Sequence, residues 1–193
     1  IRHAAVSTFA EIAPFRVTLA RLRDALQDPT IDVAPVRAQA ERLLRRDWGA
    51  HSDIERSALH SLVSVLALLH RDVPGAMAEI QRADAIEGAL PTARSFYALN
   101  ASFVGLLQGD LRLAERELTR AAHIPMRQVI PVFPAYIEVQ RGLIAWADGK
   151  ADVADAAFVQ ALAIDPRNQV ALIYRHWLAR ARDGVSVRRS SAD

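Results

Sequence analysis

Six histidines are the residues of this chain most open to a metal or acid–base role. His60 and His70 stand ten positions apart on one predicted helix. That separation puts them on different faces, whereas a helical metal site places its ligands about one turn apart, as HExxH does. His3, His51, His123 and His176 belong to no HExxH element, so surface or capping roles are expected for all six. Glu79, Glu115 and Glu117 fall on predicted outer helices, where solvated ion pairs are the default. Cysteine is absent, which excludes thiolate metal sites, disulfides and cysteine nucleophiles. No GxGxxG, GxxxxGK[ST] or GxSxG element occurs, so neither a phosphate cradle nor a nucleophile elbow has an anchor. No catalytic activity, cofactor or metal is expected.

Arginine is the other group with chemical potential, because Lys150 is the sole lysine among 24 basic residues. Arg37, Arg42, Arg45 and Arg46 form one cluster, and Arg175, Arg180, Arg182, Arg188 and Arg189 another. Both are short of aromatic stacking partners, and Glu41 and Asp47 interrupt the first. With a net charge of +2 and acids interleaved throughout, no nucleic-acid partner is expected. The arginine bias fits a GC-rich, bacterial coding background. Hydrophobic residues make up 51%, enough for a buried interior. The longest apolar run, 58–69, falls short of the roughly 20 residues that span a bilayer. Direct membrane insertion is therefore not expected. A start at Ile1 reads as a processed form or an excised piece, and cytoplasm and periplasm stay equally open.

These side chains must be positioned by helices, since alanine and leucine abound while Gly and Pro number only 8 and 9. Within that background one arrangement recurs three times. Ser64, Ser102 and Gly142 are each followed after twelve residues by Ala76, Ala114 and Ala154. Ile80, Leu118 and Phe158 come four positions later, then Ala83, Ala121 and Ala161 after three more. A period of 38 to 40 residues marks stacked helical hairpins, with small residues where two helices approach. Helices are predicted over 53–70 and 74–86, 92–108 and 111–123, and 134–148 and 151–164. Gly109 and Gly149 occupy equivalent turns, where a positive φ suits glycine.

The chain thus divides into an N-terminal helical segment (1–52), repeats at 53–90, 91–133 and 134–166, a capping helix (167–183) and a flexible tail (184–193). In the first segment Phe15, Leu19, Leu22 and Leu26 form an amphipathic stripe. A helix over 34–46 is a degenerate leading hairpin member, with Ala38 or Ala40 at its crossing. The capping helix should turn Val170, Ile173, Trp177 and Leu178 inward and its arginines outward.

This pattern resembles the tetratricopeptide repeat family, best in Gly142, Ala154, Phe158, Ala161 and Pro166. The family's tryptophan and tyrosine positions hold Glu138 and Ala145, and the first two copies end at Gly88 and Met126 instead of proline. The resemblance implies an all-α, TPR-like α-solenoid of antiparallel hairpins with a C-terminal capping helix. It also implies a concave groove lined by first helices. Phe96, Leu99, Asn100, Phe103, Leu107, Tyr136, Val139, Leu143 and Trp146 would line it as partner-binding residues. The carboxylate-gripping subfamily needs a Lys, Arg and Asn set; only Asn100 fits, since Ser61, Val65, Tyr136 and Gln140 stand at the other places. The expected function is protein–protein interaction with an apolar partner helix or peptide, or with a second copy of the chain. The alternative is a regulatory or sensory domain that takes a small apolar ligand.

Overall fold

The computed structural model describes residues 13–14, 16–18, 20–21, 24, 34–45, 53–87, 89–123 and 130–190. Phe15, Leu19, Leu22, Leu26, Trp48 and most of the linker before Ile130 lie outside that set. The described residues are all-helical, with no strand among them. In chain order the helices are α1 (Ala34–Leu44), α2 (Asp53–Leu69), α3 (Val73–Asp84), α4 (Pro91–Leu107), α5 (Leu111–His123), α6 (Phe133–Ala147), α7 (Ala151–Ile164) and α8 (Gln169–Ser190). They belong to two compact units, Ile1–Val104 and Gly105–Asp193.

Every position of the threefold pattern is buried. In the first unit Ala76, Ile80 and Ala83 of α3 join Ala67, Tyr97, Ala101 and Val104 in one core. A second cluster sets Ala40 and Leu43 of α1 against Leu59, Val63 and Leu66 of α2. Ala40 is therefore the crossing residue, and Ala38 is exposed. In the second unit Ala154, Phe158 and Ala161 of α7 pack with Ala135, Val139 and Ala145 of α6 and with Ala171 and Leu178 of α8. The reason for glycine at 142 is direct, because a β-carbon there would lie 2.5 Å from Cε1 of Phe158.

The turns repeat as well as the helices. Arg71, Gly109 and Gly149 all take positive φ, at 61°, 74° and 76°. Each donates its N–H three residues back, to Leu68, Leu106 and Trp146. The next residues, Asp72, Asp110 and Lys150, donate five residues back to Ala67, Gly105 and Ala145. Those bonds satisfy carbonyls that a helix end leaves unpaired. Asp72 then accepts from the N–H of Gly75, and Asp110 from that of Leu113, both at 2.9 Å, which caps α3 and α5. Lys150 offers α7 no side-chain cap.

The last helix departs from expectation twice. Its backbone continues to Ser190, past the tail expected from Gly184. A single glycine costs a helix only about 1 kcal/mol and does not stop it without a capping turn. Its buried face is Ala171, Tyr174 and Leu178, whereas Val170, Ile173 and Trp177 are exposed. Close approach selects the small Ala171, and Tyr174 stacks on Phe158 with centroids 5.7 Å apart. Buried Asn168 starts the helix, accepting from the N–H of Ala171 at 3.1 Å. Arg175 points outward as expected and reaches Asp155 of α7 at 3.0 Å.

Candidate functional site

In the first unit, α4 sorts its residues by helical period. Tyr97, Ala101 and Val104 point into the core. Phe96, Leu99, Asn100 and Phe103 share the opposite face; the first three are half-buried and Phe103 is exposed. In the second unit the expected residues separate. Leu107 and Tyr136 are exposed, at 51% and 41%. Val139, expected to line a binding surface, is a core residue at 7% exposure. Leu143 and Trp146 are half-buried against the same core. Trp146 meets Tyr174 edge-on at 5.2 Å and Trp177 at 6.4 Å, so α8 occupies much of the surface assigned to it. The exposed residues open to a partner are thus Phe103, Leu107 and Tyr136.

Each unit also contains a cleft that the sequence did not reveal. In the first unit α1, α2 and α3 border one of about 680 Å³, and in the second α5, α6 and α7 border one of about 570 Å³. None of the nine expected binding residues lines either cleft. Both sit at one register of the repeat, since Ala67 and Ala145 occupy corresponding positions in their walls. The second cleft mixes Leu118, Ile144 and Val153 with charged groups.

The first cleft contains a part-buried polar constellation. His60, expected at the surface, is only 9% exposed, and its Nδ1 lies 2.6 Å from Oε2 of Glu79. Glu79 also pairs with Arg82 of the same helix. Glu79 therefore ties the two helices of the hairpin together, where a solvated ion pair on one helix was expected. Burial opposes its charge, but the hydrogen bonds and positive charge of His60 and Arg82 outweigh that and hold its carboxyl below the ordinary 4.5. A carboxylate depressed in the folded state stabilises the fold above its unfolded pKa, and that stability is lost as pH falls through the folded value. Urea unfolding should accordingly show wild type more stable than Glu79→Gln near pH 6, with the difference shrinking steadily below pH about 4.5. A difference that stays constant down to pH 3 would mean the ion pairs contribute nothing.

Two serines lie at helical spacing from His60, and both spend their hydroxyls on backbone carbonyls. Ser57 donates its hydroxyl to the Ile54 carbonyl at 2.9 Å, and Ser64 to that of Ser61 at 2.6 Å. Their protons are committed to backbone. Burial pushes the Tyr97 phenol up, with the nearby Ser57 hydroxyl and Arg94 pulling it the other way. Among the described residues no group of three His, Cys, Asp or Glu could hold a metal ion, and no helix is long and apolar enough to cross a membrane. Comparison of the chain with models of protein families, with curated proteins and with solved structures finds no match.

Proposed function

We propose that this chain is a tetratricopeptide-like α-solenoid that binds an apolar helix or extended peptide of a partner protein and carries out no catalysis. The observation that supports it best is the contrast between buried and exposed residues within the repeats. The small residues of the pattern are all buried, while the first helices leave Phe103, Leu107 and Tyr136 in solvent. Phe96 and Tyr136 fall at the same register of the repeat, as do Phe103 and Leu143. Large apolar side chains held by a rigid scaffold lose little freedom on binding, which favours affinity. The clefts favour this reading over a small apolar ligand, because each has charged groups in its walls. The committed hydroxyls of Ser57 and Ser64 favour it over catalysis.

The test is Phe103→Ala combined with Tyr136→Ala, two changes at exposed positions that leave the cores untouched. The thermal midpoint should move by no more than a few degrees. Binding to a partner first recovered with wild type and then purified should weaken at least 30-fold, since one central aromatic anchor is worth about 2 kcal/mol. An unchanged Kd would remove these exposed first-helix aromatics as binding residues. Sedimentation of the wild type distinguishes a second copy of the chain from a different partner.

A further inference from the structure

We propose that the cleft between α1, α2 and α3 binds a small ligand through a phosphate or carboxylate group, held by Arg45 and Arg56 with His60 beside them. This site is independent of the first-helix residues named above, because none of them lines the cleft. Its volume of about 680 Å³ falls within the roughly 300–1,000 Å³ of small-molecule sites.

The argument rests on hydrogen-bond accounting. Four arginines line the cleft: Arg37, Arg45, Arg56 and Arg82. The carboxylates in its walls are already engaged. Glu41 accepts from Arg37 Nε at 3.0 Å, and Glu79 is shared by His60 and Arg82. Asp72 accepts from the N–H of Gly75 at 2.9 Å as the cap of α3. Donors are left over. Arg56 spends Nη1 on Asp53 at 3.3 Å, but its Nε is buried with no hydrogen-bond partner. Arg45 has an exposed side chain with no partner among the described residues. Glu79 holds the Nδ1 side of the His60 ring, which leaves Nε2 as the nitrogen available to a ligand.

A buried N–H left unpaired costs about 1–3 kcal/mol. Because Arg56 Nε is shielded from solvent, a turn of its side chain would bring that N–H to an oxyanion in the cleft and relieve the cost. Guanidinium groups present donors in a planar fork that matches carboxylate and phosphate oxygens. Two internal comparisons sharpen the point. Arg94 stands at the register of Arg56 one repeat on, and its two amino groups are bonded to the carbonyls of Asp84 and Ile86 at 2.8 and 3.0 Å. In the other cleft Arg141 is held by Glu138 and Lys150 by Asp148, each at 2.5 Å. One buried unpaired donor, on Arg56, and one exposed arginine without a partner among the described residues, Arg45, distinguish the first cleft from its counterpart.

The experiment uses the full chain labelled with ¹⁵N-arginine and ¹⁵N-histidine, with inorganic phosphate, pyrophosphate and citrate as probes at constant ionic strength. At least one probe should shift the Arg56 Nε–H and His60 ring signals saturably and raise the thermal midpoint. Arg45→Gln and Arg56→Gln should each weaken that probe at least tenfold. Arg116→Gln, at an exposed ion pair in the other unit, should change nothing. Saturation by the phosphates alone assigns a phosphate ligand, and saturation by citrate alone a carboxylate. The proposal is overturned if no probe saturates, if all arginine signals move together as in ionic screening, or if both variants keep wild-type affinity. Should Arg56→Gln fail to fold, Arg45→Gln at the exposed position decides alone.

Discussion

Phe158→Ala is expected to lower folding stability by about 3–5 kcal/mol, the range for emptying a buried phenylalanine site. Phe158 is fully buried, and its ring sits where the missing β-carbon of Gly142 would be. Tyr174 stacks on it, and the surrounding core includes Ala154, Ala161, Ala171 and Leu178. Alanines and a glycine cannot reach inward to refill the space, so collapse is limited and the cavity cost is retained. The same geometry predicts the opposite error for Gly142→Ala, where the new methyl meets a ring with no room to retreat. Overpacking of that kind costs about 1–3 kcal/mol. Combining Gly142→Ala with Phe158→Leu should cost less than the two single changes added together, because the smaller side chain frees the space the methyl needs. Urea unfolding of the four proteins checks this. A Phe158→Ala variant within 1 kcal/mol of wild type would show that α6 and α7 do not meet as described.

The hairpins were legible because close helix approach restricts residue type more severely than burial alone does. An alanine or serine at a crossing is a steric demand, and it recurs with the repeat. Gly109 and Gly149 were legible for a related reason, since their positive φ favours glycine. Arg71 adopts the same conformation without that signature, and only its register, 38 residues before Gly109, marks it. The capping helix misled because hydrophobicity and burial point to different faces. Val170, Ile173 and Trp177 are the more apolar stripe, yet shape complementarity to Phe158 turned Ala171 and Tyr174 inward.

The site was legible in a narrower sense. The resemblance assigned Phe96, Leu99, Asn100 and Phe103 to one face of α4; the first three are half-buried there and Phe103 is exposed. Val139 and Trp146 did not follow, because what covers a helix face depends on the next element, here α8. The His60–Glu79 pair carried a signal that spacing rules for one helix could not use. Ser64 faces the hairpin twelve residues before Ala76, so one turn outward on each side brings residues about nineteen apart into contact. His60 and Glu79 have that separation. Pairing across an antiparallel hairpin, applied outward from the crossing, would have found it.

Arg94→Ala should destabilise the first unit by about 1.5–3 kcal/mol, the range for hydrogen bonds from a charged donor. The side chain crosses from α4 to the end of α3. Its Nη1 donates to the Asp84 carbonyl at 2.8 Å and lies 3.4 Å from the Asp84 carboxylate, and its Nη2 donates to the Ile86 carbonyl at 3.0 Å. The last carbonyls of a helix have no partner within it, and a cation there also opposes the partial negative charge of that terminus. Alanine would remove both donors, taking one bond from the Asp84 carbonyl and leaving the Ile86 carbonyl with the Ala89 N–H at 3.1 Å. Arg94→Lys separates the contributions, because it keeps the charge but cannot span two carbonyls with a planar fork. It should recover less than half of the loss. Full recovery by lysine would show that charge at the helix end, and not the paired geometry, is what matters. An Arg94→Ala variant as stable as wild type would mean that this link between consecutive hairpins carries no energy, and that the alanine-lined crossings alone hold the first unit together.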